Sequence, residues 1–195
     1  MSDEQPLSER ILDAAEVMLR RHGAEKANVV DIARLMEMSH GNIYRHFPSK
    51  KAILDAVAMR WLEAVSSPLE KIANEPEQPA SERLEAWFHT LRAAKRRKVL
   101  DDPELFRVYH GIAVKMRAVA DEHVATLHSQ LERMIADGIK QGEFSGKLDA
   151  KAAARAFMQA TMAFHHPLML MQNCPTDEEA DVAIGIILNG LKAGA

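Results

Sequence analysis

Apolar positions recur three and four residues apart along almost the whole chain, and no stretch alternates with the two-residue period of a strand. The first stripe, Ile11, Ala14, Ala15 and Met18, predicts a helix over 8–22. Ser8 caps it, Leu7 can staple to Leu12, and Gly23 stops it. A second, shorter stripe of Val29, Ile32, Ala33 and Met36 follows Asn28, a good N-cap with Asp31 placed to return the bond. Ser39 stands where it would cap a third helix, whose stripe is Ile43 and Phe47 and whose end is Pro48. Ser49 caps a fourth, 50–65, burying Ile53, Leu54, Val57, Trp61 and Leu62. Two helices as short as the second and third cannot stand alone, so their neighbours must fix them. With Ala33 at the crossing, this is the pattern of a helix-turn-helix.

After Val65 the pattern is interrupted. Ser66-Ser67-Pro68 is expected to kink or end the fourth helix, and 74–80 reads as a proline-punctuated polar linker. Helices are then predicted over 81–100, from Asp102-Pro103-Glu104 to Met116, and over 121–140, with Val124, Leu127, Leu131, Met134 and Ile135 turned inward. Two more follow: 150–166 behind the Asp149 cap, and 177–192 behind a Thr176/Glu179 capping box. The pair His166-Pro167 marks a break, because the residue before proline resists the helical region. The expected fold is therefore all-α. A helix-turn-helix domain over 1–66 precedes a larger helical domain over 67–195.

Composition narrows the classes of function. No apolar run reaches the roughly 20 residues of a membrane span, and the polar, acidic N-terminus is no signal peptide. One cysteine, Cys174, allows no disulfide framework within the chain, so a reducing cytoplasm is expected. Between Arg20 and Arg60 eight basic residues face four acidic ones, a surplus of +4 where the whole chain carries −3, leaving −7 for the remainder. Such asymmetry points to a localised anionic partner, although a solvated basic face would give the same count. No phosphate loop, GxSxG or HExxH motif occurs, so no enzyme and no cofactor is expected.

The segment HGNIYRHFPSKKAILDAV resembles the DNA-binding signature of the tetracycline-repressor family of bacterial regulators, through Ile43-Tyr44, His46-Phe47 and Pro48-Ser49-Lys50 in this spacing. The resemblance spans about 8–65. One position departs from it: the family usually carries glycine where Glu37 stands, a turn position expected to be left-handed. The chemistry of the residues agrees with a DNA surface. Ser39, Tyr44, His46 and Lys50 are candidates for the phosphates, and Asn28 is a further DNA-binding candidate. His40, Asn42 and Arg45 lie on the outward face of the third helix, where base edges would be read, and Gly41 lets the backbone approach.

The resemblance implies a repressor that leaves a palindromic operator when a small effector binds its larger domain, and a homodimer formed by the last two helices. The residues suggest the dimer independently. VAIGIILNGL, 182–191, is apolar nearly all round, as a central core helix would also be, and Ala153, Ala156, Ala160, Ala163, Gly185 and Gly190 permit close helix approach. For an apolar or amphipathic effector the candidates are Phe88, Leu91, Phe106, Tyr109, His110, Met134, Phe157, Met158, Met162 and His165, in a chain with 11 methionines. Equally, these stripes could be ordinary core. The acidic surplus outside the helix-turn-helix leans towards a neutral or cationic ligand. The basic run Lys95-Arg96-Arg97-Lys98 reads as a helix-end cluster suited to the dipole. Six of the nine histidines lie beyond residue 85, but none pairs with another at metal-ligand spacing within a helix, so no metal is assigned. The alternatives are a metal or protein effector, or a DNA-coating protein without sequence preference.

Overall fold

The structure, a computed structural model, describes residues 5–101, Phe106, Gly111 and 117–194, and every regular element among them is a helix. In chain order these are α1 (Leu7–Lys26), α2 (Val29–Leu35), α3 (His40–His46), α4 (Lys50–Ala73), α5 (Ala80–Asp101), α6 (Arg117–Gln141), α7 (Ala150–Ala160), α8 (Met162–His165), α9 (Pro167–Gln172) and α10 (Asp177–Ala193). They fall into two compact units, 1–62 with 102–120, and 63–101 with 121–195. The division passes through α4 between Leu62 and Glu63. The start at Asp102-Pro103-Glu104 and the stripe up to Met116 lie outside the described residues, apart from Phe106 and Gly111.

In the first unit, Ile11, Leu19, Ile32, Ile43, Ile53 and Val57 are buried together with the small Ala15 and Ala33. Gly23 interrupts α1 at φ 73°, ψ 167°, a conformation glycine adopts without strain, and this ends the regular helix where the sequence stops it. Asn28 caps α2, its Oδ1 accepting from the Asp31 amide at 2.9 Å. Asp31 does not close the expected box; its carboxylate accepts from Arg34 instead. The turn into α3 is a Schellman motif: the Met38 amide donates to the Ala33 carbonyl at 2.9 Å, and the Glu37 amide to the Arg34 carbonyl at 3.2 Å. Glu37, at the position that favours glycine, has φ 54°. Replacing it with glycine is expected to raise stability by some tenths of a kcal/mol to about 1 kcal/mol. A urea midpoint lower for Glu37→Gly than for the parent chain would contradict a strained turn.

The second unit has its own core. Trp87, Phe88, Phe157 and Phe164 meet edge to face, with Leu84, Leu91, Leu131, Met134, Ile135, Ile184 and Leu188 packed around them. Its buried polar groups are tied together. The Trp87 indole N–H donates to Gln130 Oε1 at 2.9 Å, and Gln130 Nε2 donates to Glu70 at 2.9 Å. Fully buried Arg83 donates to the Ala73 carbonyl and to Asp137. Three expectations need correction here. The fourth helix does not end near 65: α4 runs on through Pro68 to Ala73. Val124 is exposed, because the inward face of α6 begins only at Leu127. The helix expected over 150–166 stops at Ala160, where Thr161 turns its hydroxyl back onto the Phe157 carbonyl, and resumes as α8. The break at His166-Pro167 occurs where expected, with His166 extended at φ −73°, ψ 126°.

Candidate nucleic-acid interface and effector region

The α3 helix is anchored by a single fully buried side chain, Ile43, on the side that faces α2. Around it His40, Gly41, Tyr44, Arg45 and His46 are exposed, and Asn42 is half-buried. His40 and Tyr44, one turn apart, meet edge to face at 6.3 Å. Ser39 holds the N-cap position in extended backbone, and its carbonyl accepts from the Asn42 amide. Its hydroxyl does not cap the helix, contrary to the sequence expectation. Asn28 is exposed, with its Oδ1 engaged as the α2 cap. Lys50, at the start of α4, donates from Nζ to the Glu25 carbonyl at 2.9 Å, which fixes its direction and leaves two ammonium hydrogens.

The basic surplus of this region is smaller than a residue count suggests. Arg34 pairs with Asp31 at 3.0 Å and Lys51 with Asp55 at 2.7 Å. Arg60 is bound to Glu9, Asp13 and Glu16, all from α1. Burial works against its charge, but the three carboxylates outweigh that and hold its proton above the ordinary value. Arg60 therefore braces α1 against α4. The exposed Arg45 makes no ion pair among the described residues.

Of the effector candidates, Phe88, Leu91, Met134, Phe157 and Met158 belong to one cluster in the second unit. Phe88 and Phe157 lie 6.5 Å apart between ring centres. Met162 is half-buried and His165 is buried. Phe106 is buried in the first unit with its ring 6.2 Å from that of Trp61. Tyr109 and His110 lie outside the described residues. A groove of about 500 Å³ in the second unit, lined by Glu63, Ser66, Glu70, Thr126, Gln130 and Arg133 among others, is polar and contains none of the candidates.

Sequence reasoning missed one arrangement. Lys95, taken as part of a helix-end run, is only 6 % exposed, and its Nζ lies 3.3 Å from His123 Nε2 on α6. An ammonium only donates, so His123 accepts at Nε2 and carries its proton on Nδ1. Nearby, His165 Nε2 lies 3.2 Å from the Thr161 hydroxyl. Burial first, and then the charge of Lys95, pushes His123 down to about 3 and His165 down to about 4. Both imidazoles are neutral near pH 7. The signal that would have revealed the group is register: Phe88, Leu91 and Lys95 follow one another at spacings of three and four along α5.

Comparison with known proteins finds two family models and several similar chains. Residues 11–57 match the family model described as bacterial regulatory proteins, tetR family, and 80–184 match tetracyclin repressor-like, C-terminal domain. The chain is similar to a nucleoid occlusion factor, SlmA, of Marinobacter nauticus, 27% identical over 169 residues, covering 84% of this chain and 83% of that one. Among solved structures it is similar to a putative transcriptional regulator from Pseudomonas aeruginosa PAO1, with TM-score 0.77 and 21% identity over 99% of this chain and 94% of that one. It is also similar to the regulator FadR from Bacillus subtilis in complex with stearoyl-CoA, with TM-score 0.61 and 19% identity over 96% of this chain and 98% of that one.

Proposed function

The chain belongs to the tetR family of bacterial regulatory proteins and is a DNA-binding transcriptional regulator, and we propose that it acts in the cytoplasm as a homodimeric repressor. Each subunit reads one half of a palindromic operator through α3, and an amphipathic effector in the larger domain releases it. The observation that carries the reading is α3 itself: one residue anchors it, and its outward side chains stand in solvent on a turn that fixes their direction. On this reading Arg45 reads a base edge, with His40 and Asn42 beside it. Gly41 lets the backbone approach, while Asn28, Ser39, Tyr44, His46 and Lys50 serve the phosphates.

The dimer is proposed to form through α7–α8 and α10. Ala156, Ala160 and Ala163 are exposed, and a Cβ at Gly185 or Gly190 would meet no atom within 4 Å, which suits a second helix at close range. The effector region is proposed to include Phe88, Leu91, Phe157, Met158 and Met162, an apolar wall with polar groups at one end. Release then requires the effector to prefer a form whose two α3 helices are wrongly spaced for successive major grooves.

The test separates reading from holding. An operator is first selected from random duplexes and its affinity measured across a salt series. Arg45→Ala is expected to relax preference at one position of each half-site, by about 1–3 kcal/mol. Lys50→Ala is expected to weaken all duplexes alike and to reduce the salt slope by roughly one per subunit. Unchanged base preference in Arg45→Ala would remove that residue from the reading face.

A further inference from the structure

We propose that Gly23 is a positioning residue for DNA binding: its backbone conformation aims the last turn of α1, whose Glu25 carbonyl holds Lys50 ready for a phosphate. This rests on the reading that Lys50 serves the phosphates, and it specifies what places that side chain.

A helix ends in carbonyls that have no partner inside it. In α1 these belong to a turn that does not continue the rest of the helix. At Gly23 the backbone takes φ 73°, ψ 167°, a region essentially closed to residues with a Cβ. One more turn follows, 24–26, closed by the Ala27 amide donating to the Gly23 carbonyl at 3.0 Å. Helical carbonyls point along the axis towards its C-terminus, so the change of direction at Gly23 redirects the carbonyls of this turn. The far end of the turn is fixed as well. Ala27 is buried, and Asn28 is committed to the α2 cap through the Asp31 amide.

The Glu25 carbonyl of that turn accepts from Lys50 Nζ at 2.9 Å, across 25 residues of sequence. Lys50 thereby caps the C-terminus of α1, the end of a helix where a cation is favoured. Its own backbone is set independently. Ser49 Oγ accepts from the Ala52 amide at 3.1 Å and starts α4, of which Lys50 is the first residue. Both ends of the lysine side chain are therefore held. An unanchored lysine gives up much rotamer freedom when it pairs with a phosphate, whereas one already ordered gives up little. The anchor thus contributes affinity without reading any base, because a phosphate carries no sequence.

Gly23 acts here through backbone conformation alone. A Cβ at this position would meet no atom within 4 Å, so Gly23→Ala removes no packing and creates no clash. What it removes is the left-handed backbone, since alanine must turn to a helical or extended conformation. The Glu25 carbonyl, two residues on, moves with the chain and leaves Lys50 without its acceptor.

The experiment is a double-mutant cycle on the full-length protein, with a selected operator and random duplexes as the DNA. Gly23→Ala is expected to weaken both by the same factor, at least about fivefold, with base preference unchanged. Lys50→Met is expected to weaken both at least as much. The double variant is expected within about twofold of Lys50→Met alone, because each change removes the same ordered ammonium. Two losses that multiply, or an altered base preference in Gly23→Ala, would show general damage to the DNA-binding unit and overturn the inference. If Lys50→Met weakens binding and Gly23→Ala does not, the inference falls and the phosphate role of Lys50 stands. If Lys50→Met binds as the parent does, that role falls and the inference with it. A parallel measurement needs no variant at Gly23 and decides if Gly23→Ala fails to fold: NMR relaxation of the lysine ammonium groups in the DNA-free parent protein. Nζ of Lys50 is expected to be more ordered than that of exposed Lys26, and equal order overturns the anchor.

Discussion

Ile186→Glu is expected to yield a folded monomer with operator affinity lowered at least about 100-fold, because one subunit engages one half-site and the second loses its tether. The expectation comes from where α10 buries its side chains. Ile184, Leu188 and Leu191 point into the second unit's core, whereas Val182 and Ile186 stand 58% and 67% exposed, one turn apart on the opposite side. On the proposed dimer, this exposed apolar pair is what the second subunit covers. A carboxylate at 186 would be solvated in the monomer and costs stability within about 0.5 kcal/mol there. In the dimer it is desolvated against an apolar surface that offers it no partner. Leu188→Glu is a different experiment, although sequence periodicity treats the two alike. Leu188 is 8% exposed inside the protomer, so that variant is expected to unfold the chain. Light scattering, far-UV circular dichroism and operator binding, run on both variants, separate the cases. A stable Ile186→Glu dimer with full operator affinity would show that α10 does not form the interface.

What the sequence discloses here is mostly what the chain does within a turn or two of itself. Asn28 on the Asp31 amide, Asp149 on the Ala152 amide and the reciprocal Thr176/Glu179 pair all close within three residues. Such bonds depend only on local backbone geometry, so a residue pattern suffices to find them. The same holds for the stop at Gly23 and the break before Pro167. Helix partners distant in sequence are not legible in this way. The first turn of α5 is capped by Glu143, which accepts from the Ala80 and Ser81 amides across more than 60 residues. Burial opposes its charge, but the Ser81 hydroxyl and these amides outweigh that and hold the carboxyl below its usual range.

The candidate site divides along the same line. On α3 the helical period separates Ile43 from its exposed neighbours, so the outward face could be read directly. Charge could not be read so directly. Arg60 counted as part of a basic surface, yet it is held by three acids from α1 that lie 44–51 residues away in sequence. Lys95 counted as a helix-end cation, yet it faces His123 from 28 residues away. In both cases the residue type was correct and the partner decided its role.

Acidification from pH 7.5 to pH 5 is expected to cost the folded protein up to about 4 kcal/mol through His123 and His165 alone. In the fold His123 is pushed down to about 3 and His165 to about 4, by burial first and then by the Lys95 charge. In the unfolded chain both return to the ordinary value near 6.5. Between those limits the unfolded state binds two protons that the folded state refuses, so stability rises with pH there. The contribution is complete above about pH 6.5 and is lost as pH falls towards the folded values. At pH 5 each histidine accounts for about 2 kcal/mol, and the slope for the pair approaches 2.7 kcal/mol per pH unit. Glu70 and Glu143 do not blur this window. Hydrogen bonds hold both below the ordinary carboxylate range against the opposing effect of burial, so their contributions fade only at more acid pH. Urea midpoints at pH 7.5, 6.5, 5.5 and 5.0, at one protein concentration, give the measurement. Stability should be nearly level between the first two and fall steeply after them, and His123→Gln should remove about half of the fall. A level profile down to pH 5 would mean that the two imidazoles accept protons inside the fold.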